Sequence, residues 1–108
     1  MSQYRRGADF ERAVRLALQT DGYTVVRSAG SKSKIDLLAI KPGQCLFIQC
    51  KTNGLCPPAE RIELRRLAGL IHALPIVAYK DGSRLAYREL TGDGPKDWVA
   101  WVSDEVAA

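Results

Sequence analysis

Two apolar runs in the middle of the chain carry residues that a buried strand has no use for. Ile35 to Ile40 is interrupted at its second position by Asp36. After Lys41-Pro42-Gly43-Gln44, the run Cys45 to Cys50 includes Gln49 and is followed by Lys51. Burying these polar groups without partners costs on the order of several kcal/mol. Residues two apart along a strand share a face, so Gln49 and Lys51 point the same way as Cys45 and Phe47. Leu46, Ile48 and Cys50 point the other way. If the two runs pair across the Pro-Gly turn, Asp36 lies near the open end, beside Gln49 and Lys51. A carboxylate with an amide oxygen suits a hard cation such as Mg²⁺, which takes few protein ligands and keeps several waters. A neighbouring lysine can orient a water or offset negative charge developing on a phosphate. Glu11, at the edge of the first helix's apolar stripe, could add a second carboxylate. Such a constellation is the apparatus of metal-assisted phosphodiester hydrolysis.

Each residue also has a plainer reading. Asp36 and Lys51 could form a cross-strand ion pair, and Glu11 could pair with Arg15 one helical turn on. Gln49 could be an ordinary residue at a strand end, and Ser31 a plain loop serine. Cys50-x5-Cys56 with the lone His72 fits no zinc spacing and lacks a fourth ligand. His72 reads as a helix-surface residue with no role. Trp98 and Trp101 read as core or interface anchors rather than platforms for bases.

The elements that would position these groups follow from periodicity. Phe10, Ala13, Val14, Ala17 and Leu18 form an apolar stripe at helical spacing, which predicts a helix from Gly7 to about Asp21, closed by Gly22. Arg12, Arg15 and Gln19 lie opposite. Tyr23 to Ser28 is rich in β-branched residues and predicts a strand. Lys34 to Ile40 and Cys45 to Lys51 predict a hairpin around Pro42-Gly43. Pro57-Pro58 opens a second helix running to about Ala73, with Leu64, Leu67, Ala68 and Ile71 as its stripe. Leu74-Pro75 is expected to stop it. Strands are predicted at Ile76 to Tyr79 and Leu85 to Leu90, around Asp81-Gly82. The tail "DWVAWVS" fits either a last strand or a docked segment. This order implies an α/β sandwich around a mixed sheet.

Length and charge narrow the function. The 108 residues suit a single domain spanning 1–108. No apolar stretch approaches the roughly 20 residues that span a bilayer. The opening "MSQYRRGADFER" does not read as a secretory signal. An intracellular, cytoplasmic protein without membrane attachment is expected. Three cysteines are an odd number and argue against a disulfide framework. The net charge is +4, and its distribution is uneven. Residues 1–54 carry nine Lys/Arg against four Asp/Glu, whereas residues 55–108 carry seven against eight. A polyanion such as nucleic acid is the natural partner of so basic a half.

The segment "IDLLAIKPGQCLFIQCK" resembles the PD-(D/E)XK nuclease motif, in which an acid precedes a hairpin ending in acid-x-lysine. The longer stretch "YRRGADFERAVRLALQTDGYTVVRSAGSKSKIDLLAI" is similar to the opening of the archaeal-type Holliday junction resolvases. The resemblance is close over residues 4–52 and looser through the second helix and "LPIVAY". It implies a restriction-endonuclease-like α/β core, with a mixed central sheet flanked by helices. It also implies a homodimer that nicks opposed strands of a four-way junction with Mg²⁺, Mn²⁺ being able to substitute, and without a small-molecule cofactor. By this resemblance Glu11 and Asp36 are metal ligands, Lys51 is the motif lysine, Ser31 lies beside the scissile phosphate and Arg6 contacts DNA. Arg5, Arg27, Lys32 and Lys34 complete the expected DNA-facing set. Gln49 stands where the family usually has Glu. Its amide oxygen can still serve as the third ligand but brings no charge. Three readings follow: a junction endonuclease, a DNA-binding module that has lost turnover, or the same chemistry on forks, flaps or RNA.

Overall fold

The computed structural model describes residues 3–28 and 34–103, with side chains from residue 6 onward. Ser31 and Lys32 lie outside the described residues, as does the side chain of Arg5. The element order is α1 (Gln3–Thr20), β1 (Thr24–Arg27), β2 (Leu37–Lys41), β3 (Gln44–Cys50), α2 (Pro58–Gly69), β4 (Leu74–Asp81), β5 (Arg84–Leu90) and β6 (Trp98–Trp101). The strands form one sheet in sequence order, β1-β2-β3-β4-β5-β6. Only β3 and β4 run parallel, joined by the crossover through α2; every other pair is antiparallel. The sheet is therefore mixed, as expected.

Each face of the sheet is covered by one helix. Phe10, Val14 and Leu18 of α1 pack with Leu37, Ala39, Leu46, Ile48, Ile76 and Ala78. Leu64 and Ala68 of α2 pack with Phe47, Cys56, Ala73, Val77 and Leu90 on the other face. The alternation along β3 divides as expected, with Leu46 and Ile48 towards α1 and Phe47 towards α2. Leu18, Leu37, Leu46 and Ile48 are wholly buried, and each such side chain stabilises the fold by about 2 kcal/mol. This apolar base holds β2 and β3 still beneath the polar end.

The hairpin register is Lys41↔Gln44 through Leu37↔Ile48, so the turn consists of Pro42 and Gly43 alone. Proline fixes the first turn position and Gly43, at φ 76°, takes the second, as a type II turn requires. The second strand is expected to start at Lys34, yet β2 begins at Leu37. Asp36 nonetheless continues the ladder, donating its N–H to Ile48 O (2.8 Å) and accepting from Ser28 N–H (3.0 Å).

Both helices and the fourth strand also have boundaries that depart from the sequence expectation. Helix α1 starts at Gln3, before Gly7. Helix α2 stops at Gly69 rather than running to Ala73. The chain turns there through His72 at φ 56°, with Ala73 N–H bonded to Ala68 O (2.8 Å), and Ile71 is left exposed. This tight end is needed to bring Leu74 opposite Leu46, so Leu74-Pro75, expected to stop the helix, already belongs to β4. His72 thus occupies a turn and not a helix surface. The tail forms a strand: β6 pairs with β5 from Leu90↔Trp98 to Tyr87↔Trp101. Trp101 meets Tyr87 edge-on at 5.3 Å, and Trp98 covers the Arg88 guanidinium at 4.2 Å. Trp101 packs against the α1-side core, as expected of an anchor, whereas Trp98 is exposed on the last strand of the sheet.

Candidate active site

The open end of the β2–β3 hairpin gathers polar groups above the apolar base. Cys50 N–H donates to Asp36 Oδ2 at 2.8 Å. Cys50 lies between Gln49 and Lys51, so Asp36 is fixed against the segment that carries both. Burial is the largest influence on the Asp36 carboxyl and raises its pKa above the ordinary 3.8. The Cys50 hydrogen bond lowers it, Glu11 raises it, Lys51 lowers it and Glu60 raises it. Glu11, Asp36, Lys51 and Glu60 therefore share one electrostatic environment, with Glu11 brought by α1 and Glu60 by α2.

Glu11 pairs with Arg27 rather than with Arg15, at 2.7 Å between Oε1 and Nε. The pair is partly exposed, and its contribution to stability is small, within about 1 kcal/mol. Ala8, Glu11, Arg12, Arg15 and Arg27 line a surface pocket in which three guanidinium groups face one carboxylate. The composition suits an anion. Arg6, on the first turns of α1, is exposed. Lys34 stands on the other flank, its Nζ 3.9 Å from Glu60 Oε1.

Gln49 is placed differently from the expected convergence on Asp36. It is only 4 % exposed and turns its amide towards α2. Gln49 Nε2 donates to Glu60 Oε1 (3.2 Å), and Gln49 Oε1 accepts from Cys56 Sγ (3.1 Å). Lys51 shares its face and reaches the same carboxylate, with Nζ 3.2 Å from Glu60 Oε2. The plainer alternative, an Asp36–Lys51 ion pair, is replaced by a Glu60–Lys51 pair, with Asp36 nearby.

Glu60 went unnoticed in the sequence. The available signal was Pro57-Pro58, which marks a helix start and puts an acid three residues on into the first turn. Its approach to Gln49 and Lys51 depends on the path of the loop between them. That path is tightly held. Gly54 N–H bonds Lys51 O at 2.7 Å, Arg88 Nη1 donates to Gly54 O at 3.1 Å, and the buried Arg61 donates to Cys56 O and Asp93 O, both at 2.7 Å.

The donor chemistry discriminates between metals. Cys50 packs on the α1 side of the sheet and Cys56 on the α2 side, while His72 is beyond the opposite end of α2. Burial pushes both thiols up, away from the thiolate that zinc requires. Among the described residues no three His, Cys, Asp or Glu side chains form a ready-made cage. Mg²⁺ needs none, since it binds through one or two carboxylates and fills its shell with water and phosphate oxygens. The carboxylates around Asp36 fit that ion.

A mixed sheet with α1 and α2 on opposite faces, and an acid-hairpin-x-lysine signature at its open end, defines a restriction-endonuclease-like α/β protein. A family model described as archaeal Holliday junction resolvase (Hjc) matches residues 2–71, and the chain belongs to that family. It is 45% identical over 52 residues to the crossover junction endodeoxyribonuclease Hjc of Methanocaldococcus jannaschii. That match takes in 48% of this chain and 38% of the relative, so it spans well under half of that protein's length. Among solved structures, Hjc of Archaeoglobus fulgidus, a Holliday junction resolvase, superposes with a TM-score of 0.64 at 27% identity. The alignment covers 78% of this chain and 70% of that one.

Proposed function

We propose that this chain is a Mg²⁺-dependent endonuclease that cuts Holliday junctions or related branched DNA by phosphodiester hydrolysis. The observation that carries the reading is Asp36, held by the Cys50 N–H between Gln49 and Lys51, with Glu11 and Glu60 in electrostatic reach. Family membership and the two Hjc relatives support the choice of substrate. Asp36 and Glu11 would hold the ion, with Gln49 as a third donor once its amide turns from Cys56. A bound Mg²⁺, for which Mn²⁺ can substitute, supplies Lewis acidity to the phosphodiester and offsets the charge that develops on it. Lys51 keeps an ammonium beside that charge. Asp36 is kept in place by its backbone hydrogen bond and by burial. Arg6, Arg12, Arg15 and Arg27 on one side and Lys34 on the other draw the DNA backbone across the site. Ser31 is a proposed neighbour of the scissile phosphate from the sequence resemblance, and Lys32 and Arg5 join the DNA-facing set as basic residues.

We also infer a homodimer. A four-way junction has two-fold symmetry, and an isologous pair presents two equivalent sites to it. No small-molecule cofactor enters this reading. A junction substrate fits an intracellular, cytoplasmic setting. Among the described residues no helix is long and apolar enough to cross a membrane.

A second reading, a DNA-binding module without turnover, is favoured by the Gln49 amide facing Cys56 and Glu60 rather than Asp36. One assay separates the two. The chain is incubated with a synthetic four-way junction, a flap, a fork, a linear duplex and an RNA counterpart, with Mg²⁺, Mn²⁺ or EDTA. The junction should be nicked with either metal and left intact in EDTA. Asp36→Asn should lower the rate at least about a hundredfold while binding survives. Binding without nicking on every substrate, with both metals, overturns the enzyme reading in favour of the module.

A further inference from the structure

Position 49 carries no charge, yet a carboxylate stands against it. Glu60 Oε1 is 3.2 Å from Gln49 Nε2 and 3.4 Å from Lys51 Nζ, and Glu60 Oε2 is 3.2 Å from the same ammonium. An acid from α2 therefore touches both strand residues that flank Cys50, whose N–H holds Asp36. The orientation of Gln49 is complementary to it. With its oxygen on Cys56 Sγ, the amide offers its NH₂ to Glu60. A glutamate at 49 in this rotamer would set two carboxylates at hydrogen-bond distance in a buried place, which is unfavourable without a cation between them. Strand and helix are matched as a neutral donor and an anion.

The position of Glu60 is built into the fold. The loop from Lys51 to α2 is tied by Arg88 at Gly54 and by the buried Arg61 at Cys56. Glu60 lies in the first turn of α2, with its side chain 20% exposed. Water and an ion can reach it, while its backbone cannot drift from β3.

We propose that Glu60 supplies, from α2, the negative charge that Gln49 does not supply from β3, and so completes the divalent-cation site with Asp36. The inference rests on the metal-dependent reading above. Its competitor is a structural acid that complements the α2 macrodipole and pairs with Lys51. The two differ in what happens to metal affinity.

The test is calorimetric titration of Mn²⁺ into the metal-free 108-residue chain without DNA. Circular dichroism and thermal melts in EDTA establish that each variant folds. Wild type should bind Mn²⁺, and Asp36→Asn should lose that binding. Glu60→Gln, which keeps shape and hydrogen bonding, should weaken affinity about tenfold or more. The exchange variant Gln49→Glu with Glu60→Gln should recover most of the loss, since it returns the charge to the strand. A Glu60→Gln protein that binds Mn²⁺ as well as wild type overturns this proposal, and loss of binding in Asp36→Asn would then leave the metal site itself standing. If Asp36→Asn also binds normally, the metal-dependent reading falls with it.

Discussion

Asp36 shows how a single carboxyl is placed at some expense to stability. It is half-buried, burial is the largest influence raising its pKa, and two further carboxylates raise it again. A raised pKa means that the native state binds the proton more tightly than the unfolded chain. Ionised Asp36 therefore weakens the fold above its native pKa, and this penalty disappears as the pH falls below the ordinary value of 3.8. Asp36→Asn keeps an oxygen for the Cys50 N–H and removes the charge. In EDTA it should be more resistant to urea than wild type at pH 7, and the difference should narrow as the pH is lowered towards 4. Equal stability of the two proteins at pH 7 would contradict the account. Together with loss of cleavage, this gives the trade between stability and activity expected of a functional carboxylate. Gln49 and Glu60 make the complementary point: a group missing from one residue can stand one hydrogen bond away on another element.

The element that decides the site is the loop from Lys51 to Pro57. Gly54 sits at φ 75°, and a Cβ there would lie 2.9 Å from Arg88 Nη1. The guanidinium has no easy way to move, since it is held at 4.2 Å from both the Tyr79 and Trp98 rings and bonds Gly54 O. Gly54→Ala therefore meets a left-handed backbone and a crowded neighbour together. It should cost about 2 kcal/mol in urea unfolding. Because the loop sets Glu60 against Lys51, the same variant should also bind Mn²⁺ more weakly. A Gly54→Ala protein as stable as wild type would show that Arg88 does not hold this turn.

At the scale of the whole molecule, charge is sorted by position. Part of the basic excess of the first half, Arg12, Arg15 and Arg27, lines the pocket at Glu11. If this surface meets DNA phosphates, junction affinity should fall steeply with salt. Removing one contact as Arg12→Gln should lower the log–log salt slope by about one. Arg66→Gln should leave the slope unaltered, because Arg66 is on the α2 surface and engaged with Glu63. Equal slopes for wild type and Arg12→Gln would place the DNA elsewhere. Most of the architecture was legible beforehand for the same kind of reason that charge was. The stripe Phe10, Val14, Leu18, the alternation along β3 and the Pro42-Gly43 turn are each set by contacts close in sequence. The end of α2 was not, because Ile71 continues the apolar periodicity and only the need to align Leu74 with Leu46 cuts the helix at Gly69.

The order Glu11, Asp36, Gln49, Lys51 is a property of the chain, and it set the kind of chemistry to look for, while the resemblance of residues 4–52 carried the family. The mixed sheet was legible in the succession of helix and strand patterns, because the spacing of apolar residues is converted by local geometry directly into faces. The partners of each group were settled only by folding. Arg27 rather than Arg15 meets Glu11, Glu60 rather than Asp36 meets Lys51, and the Gln49 amide faces α2. These contacts join elements that are distant in sequence, and a side chain chooses among several neighbours within reach only once packing has fixed where each backbone runs.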